Sequence, residues 1–69
     1  MAIMSTLQLY GSKRARESAR NLLENQPGIC RVDFSCDQRM IRLYLDEPIS
    51  EASLISLLEP SGISGFRLA

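Results

Sequence analysis

The stretch Ile29-Cys30-Arg31-Val32-Asp33-Phe34-Ser35-Cys36-Asp37-Gln38-Arg39-Met40-Ile41-Arg42-Leu43-Tyr44-Leu45 decides the fold. Val32 and Phe34 alternate with Arg31, Asp33 and Ser35, so Ile29 to Cys36 reads as a strand with one apolar face. From Met40 to Leu45 the alternation returns. Ile41, Leu43 and Leu45 fall on one side, and Met40, Arg42 and Tyr44 on the other. Asp37-Gln38-Arg39 is a short polar turn between them. Two alternating runs joined in this way predict a β-hairpin.

Working outward, the chain before the hairpin ends in Pro27-Gly28, which stops a helix and turns the backbone. That helix spans about Lys13 to Asn25. Ala15, Ala19, Leu22, Leu23 and Gln26 recur on one side, while Lys13, Arg16, Glu17, Arg20 and Glu24 fall on the other. Ser12 is a good N-cap. Before it, Thr6 to Tyr10 places Leu7 and Leu9 on one face, as a strand does. After the hairpin, Asp46-Glu47-Pro48 forms a loop and Ser50 caps a second helix, about Glu51 to Glu59. Ile49 and Leu54 stand at the positions of a hydrophobic staple, and Leu54, Leu57 and Leu58 form the buried stripe. Pro60-Ser61-Gly62 ends the helix, and Phe66-Arg67-Leu68 makes a short last strand. The order is strand, helix, strand, strand, helix, strand. This is an α+β, ferredoxin-like βαββαβ arrangement, a four-stranded antiparallel sheet with both helices on one face. The whole chain, residues 1–69, is expected to form a single domain.

Composition narrows the function. Lys plus Arg and Asp plus Glu each number 8, for a net charge of zero. General duplex DNA binding normally rests on a strong basic excess, so nucleic acid is an unfavoured partner. Hydrophobic residues make up 45% and charged residues 23%, which is the balance of a folded globular chain rather than a disordered one. No apolar run approaches the roughly 20 residues of a membrane helix, so no membrane insertion is expected. Met1-Ala2-Ile3-Met4 is too short for a secretory signal, and a cytoplasmic location is the expectation. The chain contains no His. Imidazole is therefore absent as general base and as zinc ligand. No paired-carboxylate constellation or activated nucleophile stands out either, so no enzymatic role is expected.

The two cysteines, Cys30 and Cys36, are too few for a disulfide-stapled secreted domain. In one strand, six residues at about 3.3 Å each separate their Cα atoms by roughly 20 Å. A disulfide needs about 7 Å, and a shared metal needs both sulfurs at about 2.3 Å. Cys36 is thus expected as a small core residue and Cys30 near the start of the strand. A metal such as Cu(I) or Zn(II) would be held by these thiols only between two chains.

Taken together, several stretches resemble heavy-metal-associated domains, the family of soluble copper chaperones and of the N-terminal domains of metal-pumping ATPases. They are Pro27-Gly28-Ile29, Val32-Asp33-Phe34, Ile41-Arg42-Leu43-Tyr44-Leu45-Asp46, Ile49-Ser50 and Leu57-Leu58-Glu59-Pro60-Ser61-Gly62-Ile63. The resemblance runs from about Thr6 to Leu68. It implies the ferredoxin-like fold, a metal-handling lineage and a protein partner. The family's metal motif, Met-Thr/His-Cys-x-x-Cys between the first strand and first helix, falls on Tyr10-Gly11-Ser12-Lys13-Arg14-Ala15. Ser12 and Ala15 thus occupy the two cysteine positions, and a hydroxyl with a methyl cannot replace the thiolate pair that holds a soft ion. No cofactor is expected at this loop.

Two surfaces remain as candidates. Ser12, Lys13 and Arg14 at a helix N-terminus could attract an anion or an acidic partner. Alternatively they form a solvated face with partial pairing, such as Arg20 with Glu24. The second surface is the open face of the sheet. With Leu7, Leu9, Val32, Phe34, Ile41, Leu43 and Phe66 turned to the core, Thr6, Gln8, Tyr10, Arg31, Asp33, Met40, Arg42, Tyr44 and Arg67 turn outward. Arg31, Arg42, Tyr44 and Arg67 are the candidate contacts there, because Arg and Tyr are enriched at interaction hot spots. Such a face can also stack single-stranded bases. Tyr10, at the family's Met position, could instead fold beneath its loop.

Overall fold

The structure, a computed structural model, describes residues 3–37 and 39–68. Strand β1 (Ile3–Tyr10) leads into helix α1 (Lys13–Glu24). Strands β2 (Ile29–Phe34) and β3 (Met40–Leu45) form the hairpin. Helix α2 (Glu51–Leu58) continues through a 3-10 turn (Glu59–Ser61) to β4 (Gly65–Leu68). The sheet runs β2-β3-β1-β4 with every neighbouring pair antiparallel. This is the expected ferredoxin-like βαββαβ fold.

One register builds the core. Leu7 lies opposite Ile41 and Leu9 opposite Phe66, while Val32 faces Leu43. Strand side chains alternate across the sheet, so these residues share a face with Leu45. Ala15, Ala19 and Leu23 of α1 and Leu54 and Leu58 of α2 are buried with them. Leu7, Leu9, Ala19, Leu23, Ile41, Leu43, Leu45, Leu54 and Leu58 form one cluster that places both helices on the same side of the sheet. Ile49 packs against it, as its staple position predicts. No helix among the described residues is long and apolar enough to cross a membrane.

Both helices start where their caps stand. Ser12 Oγ accepts from the Ala15 amide at 3.1 Å, and Ser50 Oγ accepts from the Ser53 amide at 3.1 Å. The anticipated Arg20–Glu24 pair forms at 3.0 Å.

The structure corrects the hairpin in two respects. First, β2 stops at Phe34 instead of Cys36. Ser35 closes the ladder by donating its amide to Met40 O, and its hydroxyl bonds the Asp37 carboxylate while accepting from the Met40 amide. A side-chain network of this kind offers the backbone an alternative to further strand pairing. Cys36 therefore sits in the turn and is exposed, not a core residue. Gln38, expected in that turn, lies outside the described residues. Second, Phe34 points to the helix side but is 42% exposed. It sits at the rim of the sheet, where the Arg20 guanidinium covers its ring at 4.0 Å. The other boundaries shift by a few residues. β1 begins at Ile3 and β4 at Gly65, while α1 ends at Glu24 and α2 at Leu58.

The two aromatic and aliphatic positions differ in a measurable way. Leu43→Ala should destabilise the protein by about 2–5 kcal/mol, the usual cost of a large cavity in a closed core. Phe34→Ala should cost less than half as much, because it removes mainly a rim contact and a cation–π pair of about 0.5–1 kcal/mol. Urea unfolding of the two variants checks this order, and equal costs would place Phe34 in the core.

Candidate functional site

The β1–α1 loop is shaped by Gly11. Its φ of 140° lies in the region that favours glycine. A Cβ there would also stand 3.1 Å from Ser64 N and 3.2 Å from Ile63 Cα. The loop thus rests against the backbone that leads into β4, and the Ser64 amide donates to Tyr10 O at 2.8 Å. Within the loop, the Ser12 hydroxyl is spent on the Ala15 amide, and Ser12 O accepts from the Arg16 amide at 3.0 Å. Ala15 is buried in the helix interface, whereas Ser12, Lys13 and Arg14 are exposed. Tyr10 is exposed as well and does not fold beneath the loop. The positions at issue for a soft metal therefore present a committed hydroxyl and a buried methyl. Among the described residues no group of three or more His, Cys, Asp or Glu side chains converges.

Arg16 was placed by periodicity on the solvent side of α1, and the structure places it half-buried. Its Nη1 donates to Gly11 O at 3.3 Å, while its buried Nε finds no acceptor among the described residues. A buried donor without a partner costs about 1–3 kcal/mol. Arg16 and Arg20 stand one helical turn apart beside the buried stripe. That i, i+4 alignment next to Ala15 and Ala19 is the sequence signal that could have flagged both. Arg39, at the end of the hairpin turn, approaches the same loop, since its carbonyl accepts from the Leu9 amide at 2.6 Å. Its guanidinium lies 3.8 Å from Asp37. The Asp37 carboxyl is held below its ordinary range, chiefly by the Ser35 hydroxyl, then by the Arg39 amide and by the charges of Arg39 and Arg16.

The open face of the sheet assembles the other predicted residues. Thr6 faces Arg42 across β1 and β3, Gln8 faces both Met40 and Arg67, and Tyr44 lies between Met4 and Arg31. Arg31 is fixed by Asp33 at 2.9 Å and lies over the Tyr44 ring at 5.6 Å. Arg42 and Arg67 are exposed and form no ion pair among the described residues. Met4, Tyr10 and Met40 add exposed apolar surface to the same side. Arg31, Arg42, Tyr44 and Arg67 are thus brought to one face as expected.

The cysteines are kept apart. The register shifts between Ile29 and Arg31, so Cys30 is the extra residue of a β-bulge at one end of β2. Cys36 lies beyond the other end. Both thiols are free and exposed. The Cys30 thiol donates to Asp46 Oδ1 at 2.8 Å. This bond, then partial desolvation and the Asp46 charge, pushes its pKa up from the ordinary thiol value. The thiolate, which is the nucleophile and the metal ligand, is correspondingly disfavoured.

No protein-family model and no curated protein matches the chain. Solved structures share its fold, among them the following two. The N-terminal domain of ZntA in the apo form superposes with a TM-score of 0.75 at 17% identity, covering 100% of this chain and 94% of that one. The yeast copper transporter domain Ccc2a, solved in apo and Cu(I)-loaded states, gives 0.73 at 14% identity, covering 100% and 96%. The likeness is one of fold. It agrees with the architecture that the heavy-metal-associated resemblance implied.

The Cys30–Asp46 contact has a direct chemical readout. In a Cys36→Ser background, Asp46→Asn should speed alkylation of Cys30 at pH near 8 several-fold, because the carboxylate no longer favours the neutral thiol. The sign also fixes the stability trend. A raised thiol pKa contributes stability that is present below the ordinary thiol range and fades as pH rises through the raised value. An alkylation rate unchanged by Asp46→Asn would show that the contact does not control the thiol.

Proposed function

We propose that this chain is a non-catalytic docking module of heavy-metal-associated descent, whose metal loop has exchanged its soft donors for Ser12 and Ala15. The loop itself carries the reading. Its hydroxyl caps α1 and its methyl is buried, so neither position offers a ligand to a soft cation. Similarity in fold to a copper transporter domain solved with and without Cu(I) supports the descent.

The open face of the sheet supplies the docking surface in this reading. Arg42 and Arg67 lie there beside Tyr44, Tyr10, Met4 and Met40, the mixture of Arg, aromatic and Met side chains that marks interface centres. An acidic protein surface is the partner such a face would select, through steering by the two arginines and contact with the rings. A second reading, a metal held between two chains, rests on the exposure of Cys30 and Cys36. The Asp46 contact works against it at Cys30.

Three titrations followed through backbone amides test these readings. With Cu(I) and then Zn(II), residues 11–15 of the reduced protein should not respond. Broadening centred on Cys30 or Cys36 would favour the interchain metal. The double variant Ser12→Cys/Ala15→Cys should gain Cu(I) binding at the loop, since a hydroxyl and a methyl become thiols on an unchanged frame. A folded double variant that ignores Cu(I) would contradict the proposed descent. Finally, an acidic peptide should shift Arg42, Tyr44 and Arg67 in the native protein. Arg42→Ala/Arg67→Ala should weaken it at least tenfold, or about 1.4 kcal/mol. A short oligonucleotide binding more tightly at the same face would replace the protein partner with single-stranded nucleic acid.

A further inference from the structure

The geometry points to an oxyanion pocket where the end of β1, the first turn of α1 and the hairpin turn meet, with Arg16 and Arg39 as its cationic walls. Gln8, Leu9, Tyr10, Gly11, Arg16 and Arg39 line a cavity of about 240 Å³. No carboxylate belongs to that lining. This is room for a small tetrahedral anion with several waters, each of which takes about 30 Å³.

The two arginines already line the cavity. Arg16 uses one guanidinium nitrogen on Gly11 O, and its buried Nε lacks an acceptor among the described residues. A guanidinium presents its N–H groups as a fork that matches two oxygens of a phosphate or similar anion. Arg39 lines the same cavity, and its guanidinium is held only loosely by Asp37, at 3.8 Å. Two main-chain donors of the helix start, the Ala15 and Arg16 amides, are already occupied by Ser12. The pocket therefore differs from the exposed Ser12-Lys13-Arg14 surface expected from the sequence. It is built from side chains that periodicity assigned to solvent and to a turn.

Asp37 is the built-in competitor. Its charge acts on both arginines from outside the cavity lining, as the depression of its own carboxyl pKa shows. Removing that charge strengthens the field that an incoming anion meets. The ligand class is a phosphate-type oxyanion, either the free ion or a phosphoryl group on a larger molecule. The pocket shares Gln8 and Tyr10 with the open face of the sheet, but neither of its arginines belongs to the Arg42–Arg67 surface.

The test is a titration of the native chain with inorganic phosphate against sodium chloride at matched ionic strength. It is read at the Arg16 Nε–H resonance and at the Gly11 and Arg39 amides. A saturable shift at these three groups is expected. Arg16→Lys, which keeps the charge and loses the fork, should weaken it at least tenfold. Arg39→Ala, at an exposed position, should weaken it several-fold while leaving the fold intact, and Asp37→Asn should tighten it about threefold. A second titration with O-phosphoserine separates the two sources. Equal binding assigns a phosphoryl group on a larger molecule, and binding of inorganic phosphate alone assigns the free ion. Shifts that grow without saturation, that chloride reproduces, or that gather at Lys13 and Arg14 would overturn the pocket. So would an Arg39→Ala protein that binds phosphate as well as the native chain.

Discussion

Everything in this small fold depends on β1 being sandwiched between β3 and β4 in one register. Leu7 must oppose Ile41 and Leu9 must oppose Phe66 for the helices to find an apolar floor. A slip of one residue would turn that floor to solvent and bring Thr6, Gln8 and Tyr10 inward. A chain of 69 residues has little surplus with which to survive such an error. Domains of this size bury only about 60% of the surface that their unfolded chains expose. A single leucine-rich cluster, closed by Ala19 on α1, therefore carries the stability and also specifies the topology.

That register has a chemical consequence at each end of the sheet. At one end, β1 runs out into Gly11, which can approach the Ile63–Ser64 backbone because it has no side chain. The loop is consequently clamped between α1 and the start of β4. At the other end, the bulge at Cys30 lets β2 pair with β3 while turning the thiol toward Asp46. The two thiols are thereby assigned to opposite ends of β2, and neither lies on the β1–α1 loop. Neither thiol is therefore placed to act at that loop.

How much of this was legible from the chain depended on whether the governing force was periodic. The hairpin, both N-caps and the apolar floor follow patterns of period two or 3.6, and Ser12, Ser50, Ile41, Leu43 and Leu54 stand where those patterns placed them. Phe34 and Cys36 did not, because alternation records the direction of a side chain and not its distance from the sheet's rim. At that rim the Ser35 and Asp37 side chains competed with the backbone ladder and ended β2 early. Arg16 escaped for a related reason. A helical wheel sorts residues by angle alone, whereas Arg16 sits at the flank of the stripe, where a neighbouring loop and turn close over it.

The same flank explains how the loop keeps its shape. A bound cation would bring its own ligand bonds to hold the turn. Here the turn is held by the Ser12 cap, by the Gly11 contact with the β4 approach, and by the Arg16 bond to Gly11 O. These interactions use main-chain groups, one hydroxyl and one guanidinium, and none of them needs a ligand in the loop. Arg16 serves as a strut in this arrangement, yet a strut that spends one weak bond leaves the rest of its guanidinium uncommitted. The strut thereby leaves positive charge beside the loop.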